Sequence, residues 1–245
     1  MVRVDDVYQR VLALANKEQR GYITPQEFNL FANQAQMEIF EQYFYDLEQF
    51  KRPGRNTPDV FVDNVVEEKI QIFERSIGSP VISAFVGAGA GGINKILPDY
   101  IYRINRVEFN NVECEVLNTK DFNDVRFGGP LTGPSVARPV VNIRGNVMRC
   151  VAGWSIAGDD VANVTPTGII YFKIPNQVQW GYFVVSDKAL YDGDPTKTTN
   201  FEVHRSEETE LIYKILKFAG VSMKRDDIMR AGQGMEISQV QQEKQ

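Results

Sequence analysis

The sequence predicts an α+β protein: an N-terminal helical pair, a central antiparallel β domain of sandwich or barrel type, and a C-terminal helical arm. Three observations carry this reading. Apolar residues recur at helical spacing through the first fifty residues. Short apolar and β-branched runs, broken by Gly and Pro, fill the middle. The end returns to helical spacing and then loses its apolar stripe. The segments so divided are 1–58, 59–200 and 201–245. No βαβ alternation points to a parallel sheet, and no internal repeat stands out.

Val4, Val7, Tyr8, Val11, Leu12 and Ala15 place a first helix from Val4 to Asn16. Thr24-Pro25-Gln26-Glu27 then forms a full capping box: a Thr N-cap, Pro at the first helical position and Glu at the third. From there Phe28, Phe31, Ala32, Ala35, Ile39, Tyr43, Leu47 and Phe50 share one stripe. This predicts a helix of about 25 residues, ~38 Å long. Phe40, Phe44 and Tyr45 lie off the stripe and are read either as packing into a bundle or as contacts to neighbouring subunits. Lys51 to Pro58 is a break.

Strand character begins with Ile70, Ile72 and the run Val81 to Val86. The segment Arg103 to Val116 is clearer. Val107 and Phe109 alternate with polar residues, Asn110-Asn111 tolerates the positive φ of a two-residue turn, and Val112, Cys114 and Val116 alternate beyond it. That is a β-hairpin with one buried face. Pro130, Pro134 and Pro139 punctuate a loop, and strands are expected at Val140–Ile143, Val147–Val151, Ile169–Ile174 and Tyr182–Val185.

The final helix has Ser206 as expected N-cap, Glu207, Glu208 and Glu210 at its positive end, and Lys214 and Lys217 toward its negative end. Leu211, Ile212, Ile215, Leu216 and Ala219 form its stripe, and Gly220 suits the left-handed C′ position. From Met223 onward apolar residues are thin, while Gly232 and Gly234 each cost about 1 kcal/mol against Ala in a helix. Such a segment cannot build its own core. It is predicted to order by docking, with Ile228, Met229, Met235 and Ile237 as interface residues toward another protein or a neighbouring subunit.

The chain is 43% hydrophobic and 24% charged, ordinary values for a globular protein. No apolar run approaches the ~18 residues of a membrane span, and the N-terminus lacks a signal-peptide core, so use without crossing a membrane is expected. Cys114 and Cys150 have no metal spacing and are expected to be reduced, with Cys114 a buried hydrophobe. The net charge of −5 argues against holding nucleic acid by its phosphates, yet suits a surface past which DNA slides.

Three motifs resemble chemistry without supplying it. Asn16 to Glu27 overlays an EF-hand loop, with Gly21 sixth and Glu27 twelfth, but Arg20 stands where calcium needs an oxygen. Val86-Gly-Ala-Gly-Ala-Gly-Gly92 contains a GxGxxG string, but only five residues separate Gly92 from Pro98, too few for the helix a dinucleotide needs. It reads as a loop between strands. His204, the sole histidine, is expected to cap or pack at the start of the final helix. Asp187, Asp192 and Asp194 fit turn chemistry, as do Asp159 and Asp160, and Trp154 and Trp180 fit core or interface anchors. No catalytic, cofactor or metal site is expected.

Ile169-Ile-Tyr-Phe-Lys-Ile-Pro175, Trp180, Phe201-Glu-Val-His204 and Glu210 to Val221 resemble the C-terminal half of neck proteins of short-tailed bacteriophages, the crAss-like and related phages. These are head-to-tail connector, ring or adaptor proteins. Val7 to Leu12 and Gly21 to Gln36 are similar to their N-termini. The resemblance implies a non-enzymatic virion protein, made in the host cytoplasm and placed between head and tail. It implies a ring, usually of twelve copies, in contact with the portal and with tail or other neck proteins, through which DNA passes without specific binding. A helical arm reaching the portal or a neighbouring subunit belongs to the same pattern. The long Gly- and Pro-rich β section departs from the smaller, more helical adaptors of other short-tailed phages. The alternatives are another virion part, such as a tail-tube or head-decorating protein, and a ligand- or metal-binding enzyme.

Overall fold

The computed structural model describes residues 1–16, 23–50, 67–78, 87–88, 95–126, 128, 132–153, 164–186, 188–222, 234 and 237. The fold is α+β. The chain divides into two compact units: Met1–Ile72 with Pro175–Gln245, and Phe73–Ile174. Residues 175–200, grouped by the sequence with the β domain, thus belong to the helical unit. Among the described residues no helix is long and apolar enough to cross a membrane.

In the first unit, α1 (Val4–Asn16) and α2 (Pro25–Phe50) begin as the sequence predicts. Thr24 Oγ1 accepts from the Glu27 amide at 3.3 Å, and Glu27 Oε2 accepts from the Thr24 amide at 3.0 Å, which closes the capping box. The Thr24 amide, and then its hydroxyl, donate to the Glu27 carboxyl and hold it below its ordinary value. Phe28, Ala32, Ala35, Ile39 and Tyr43 are buried along the stripe. Phe40 and Phe44 are buried too, at 0% and 5% exposure. They form an edge-to-face pair with centroids 5.0 Å apart, so α2 is covered on a second side by its own chain. Of the two readings of Phe40 and Phe44, packing within the chain describes them, and a role as exposed subunit contacts does not.

The polar face of α2 carries a device that the apolar pattern does not show. Asn29 Oδ1 accepts from the Trp180 amide (2.8 Å), and Asn33 Oδ1 accepts from the Val178 amide (2.7 Å). Asn33 Nδ2 donates to the Val178 carbonyl (2.9 Å), and Gln36 Nε2 donates to the Asn176 carbonyl (2.8 Å). Gln36 Oε1 also accepts from the Glu202 amide at 2.9 Å. Alternate residues of an extended segment thus meet one face of a helix, each amide side chain acting as donor and acceptor. This ladder ties residues 176–180 to the helices.

A 3-10 turn (Arg205–Glu207) leads into α4 (Glu208–Ser222). His204, not Ser206, is the cap of that turn: its ring nitrogen accepts from the Ser206 amide. The helix also runs past Gly220, which is buried and helical, so packing outweighs the propensity cost that placed the helix end there. Ile70, read as strand, lies instead in a helical turn over 67–71 and is buried. Glu67, Glu68 and Lys69 favour helix, and one apolar residue cannot impose a strand.

A buried ionic cluster joins these pieces. Lys69 Nζ pairs with Glu207 Oε1 at 2.5 Å and stands 5.8 Å from the Tyr43 ring centroid. Lys214, also buried, pairs with Glu210 at 3.3 Å and Glu38 at 3.8 Å. Burial raises the Glu207 carboxyl, but Lys69, with Glu210 and Ser206 donating, holds it net below its ordinary value. Burial first, and then Glu207, push Glu210 up to about 7 against the pull of Lys214. The two carboxyls are thus pushed apart, Glu207 toward the charged form and Glu210 toward the protonated one.

The second unit holds two sheets. Strands β1 (Glu74–Gly78), β9 (Gly168–Lys173), β4 (Ile101–Phe109) and β5 (Val112–Glu113) form one, ordered β1-β9-β4-β5 and antiparallel. The predicted hairpin is present: Phe109 pairs with Val112, and Asn110 and Asn111 take φ 48° and 62°. After Cys114 the chain changes sheets, which is why Val116 is 56% exposed instead of facing a core.

The second sheet is ordered β2-β3-β8-β7-β6, from β2 (Gly87–Ala88), β3 (Lys95–Ile96), β8 (Val147–Val151), β7 (Val140–Arg144) and β6 (Glu115–Leu117). All its pairings are antiparallel except β6 with β7. The short α3 (Thr119–Arg126) lies between β6 and β7 in sequence, so one β–α–β crossover exists where none was expected. Its signal is faint because Phe122 is its one buried residue. Val107, Ile169 and Tyr171 of the first sheet share a core with Val141, Met148 and Cys150 of the second. Among the described residues no barrel closes.

Candidate assembly surface

Among the described residues, four exposed large apolar side chains gather on one hairpin in the first unit, β10 (Tyr182–Val185) with β11 (Lys188–Tyr191). Its base is rigid. Trp180 is buried, its ring centroid 4.1 Å from that of Tyr8 and 5.9 Å from those of Tyr182 and Tyr191. Its Nε1 donates to Asp5 Oδ1 at 3.1 Å. Gly181 is required here: a Cβ would lie 2.6 Å from Thr198 Oγ1 and 2.7 Å from the Lys197 carbonyl. Asp192 pairs with Lys197 at 2.8 Å, and Asp194 accepts from Thr196, so both acids perform the turn chemistry expected of them.

Strand alternation then sorts the hairpin's faces. Tyr182 opposite Tyr191 belongs to the face that meets Trp180. Phe183 opposite Leu190, with Val185, belongs to the other. Phe183, Val185 and Leu190 are 46–48% exposed, and Val184 is 62% exposed. Among the described residues neither outer edge of this hairpin pairs with another strand. A rigid apolar face beside open edges is a docking template for another chain.

Of the interface residues read from sequence, Tyr45 is exposed at 59% and Ile237 at 58%. Phe40 and Phe44 are buried, as described above. Ile228, Met229 and Met235 lie outside the described residues. The hairpin itself was read only as the strand Tyr182–Val185. Its signal was available: Phe183-Val184-Val185 is an unbroken apolar run in a strand too short to be covered on both faces.

The motifs that mimic chemistry fall as follows. Loop residues 17–22 of the EF-like segment lie outside the described residues. No group of three or more His, Cys, Asp or Glu that could hold a metal occurs among the described residues. Gly87 and Ala88 form β2, and strand β3 follows at Lys95, so the glycine string lies between strands; residues 89–94 are outside the described set. Cys114 and Cys150 are free and buried, with Sγ atoms 3.8 Å apart in the shared core. Their contact lowers the Cys114 thiol and raises that of Cys150. No protein-family model matches the chain, and no curated protein sequence does either.

Proposed function

We propose that this chain is a structural virion protein of a tailed bacteriophage, assembling as a ring in the neck that joins the portal to the tail and lets DNA pass. The observation that carries the reading is the apolar face of the β10–β11 hairpin, exposed on a base too rigid to fold it away. A ring buries such a face on every copy at once and leaves no open end. The resemblance to neck proteins gives the particle and the position. The net charge of −5, repeated around a ring, keeps the passage from gripping phosphates where acids face inward. The subunit acts by assembly, without catalysis.

The segment from Met223 contributes the second contact, through Ile228, Met229, Met235 and Ile237, by ordering against the portal or a neighbour. The test is negative-stain imaging of the purified protein, alone and with a candidate portal, beside a chain lacking residues 223–245. The full chain is expected to form rings that join the portal. The truncation is expected to stay folded, since α4 is packed within the first unit, and to fail at the portal. Normal joining by the truncation would remove the arm from the account.

A further inference from the structure

Alternation along β7 and β8 divides their residues between two faces of the five-stranded sheet. Val141 and Cys150 enter the core shared with the other sheet, while Val140 and Val151 meet Phe122 of α3. On the α3 side the next register pairs are Asn142 with Arg149 and Arg144 with Val147. There the cover ends and a cavity of about 450 Å³ opens, lined by Thr119, Phe122, Asn123, Asn142, Arg144, Val147 and Arg149.

The described lining has a single electrostatic sense. It offers two guanidiniums, a hydroxyl and two amides, and none of the described lining side chains is acidic. Arg149 Nε is buried and makes no hydrogen bond among the described residues. Burial, and then the nearby charge of Arg126, lower its affinity for a proton. A desolvated guanidinium N–H without an acceptor is unfavourable unless an acceptor joins it. Forked guanidinium donors with a hydroxyl beside them match a tetrahedral oxyanion better than a single point charge would. Phe122 and Val147 add an apolar wall, and the volume exceeds what one inorganic ion fills.

We propose that this cavity binds a phosphoryl group, either as free phosphate or carried by a small phosphomonoester. The site lies in the unit that does not bear the hairpin, so it stands or falls independently of ring assembly. The test is calorimetric titration of the full chain with inorganic phosphate and with adenosine monophosphate, at ionic strength held constant with chloride. Saturable binding of at least one probe is expected, weakened roughly tenfold to a hundredfold in Arg149→Ala or Arg144→Ala. Tighter binding of the nucleotide identifies a phosphomonoester, and tighter binding of phosphate identifies the free ion. Arg144 is exposed, so its variant keeps the fold and decides the matter if Arg149→Ala does not. No saturable heat with either probe, or unchanged affinity in every variant that folds, overturns the assignment.

Discussion

Replacing Trp180 by alanine is expected to lower the stability of the helical unit by about 3–5 kcal/mol, the range for truncating a large buried aromatic. The site cannot collapse around the gap, because its neighbours come from separate elements. Tyr8 belongs to α1, Tyr182 and Tyr191 to the hairpin, and Asn29 on α2 grips the Trp180 backbone at 2.8 Å. The indole meets Tyr8, Tyr182 and Tyr191 together, and its loss also strips Asp5 of a donor. Urea unfolding followed by far-ultraviolet circular dichroism measures the change. A loss below about 1 kcal/mol, the level of an ordinary surface substitution, would show that Trp180 is not the keystone described here.

The second large effect is a pH dependence set by Glu210. Its carboxyl titrates at about 7 in the fold against an ordinary 4.5. Below about 4.5 both folded and unfolded chains hold the proton, and no penalty exists. Between these values the unfolded chain releases the proton while the fold retains it, so stability falls as pH rises. Above about 7 the full penalty is present, on the order of 3 kcal/mol. Glu207 acts in the opposite sense. Its lowered carboxyl contributes stability above its unfolded value and loses it as the pH falls through its folded value. Among the described residues, Lys69 pairs with Glu207 and Lys214 with Glu210, and Lys214 also reaches Glu38.

Glu210→Gln keeps the shape and a donor for Glu207 but removes the titration. The variant is expected to lose the decline between pH 5 and 8 and to exceed the wild type at pH 8 by up to about 3 kcal/mol. Denaturant midpoints of both proteins at the two pH values provide the measurement. An unchanged slope in the variant would assign the effect to another group.

Local signals in the sequence were read well where one element decides its own structure. The capping box at Thr24 and Glu27, the limits of α1 and the Asn110-Asn111 turn all depend on neighbours within four residues. What escaped depends on distant partners. The Asn29, Asn33 and Gln36 ladder needs an extended backbone some 140 or more residues away, as the Asn33 separation of 145 illustrates. Read alone, those amides look like a solvated face. Phe40 and Phe44 lay open to two readings because one stripe was assigned to the core, whereas α2 is buried on two sides. The switch of sheets at Cys114 left no mark in the alternation, so Val116 was placed inside. Arg149 gave no sequence signal, since its cavity arises only where α3 stops covering the sheet.

The central claim is that the exposed face of the β10–β11 hairpin holds copies of this chain together. Phe183 and Leu190 are cross-strand partners, so Phe183→Asp with Leu190→Lys replaces the apolar face by an opposite-charge pair that still favours the hairpin. Particle mass by light scattering coupled to gel filtration is the direct readout. The wild-type chain is expected at a closed multiple of 27.8 kDa and the double variant at 27.8 kDa alone. A wild type that stays at the single-chain mass, or a double variant that assembles like it, would contradict the claim.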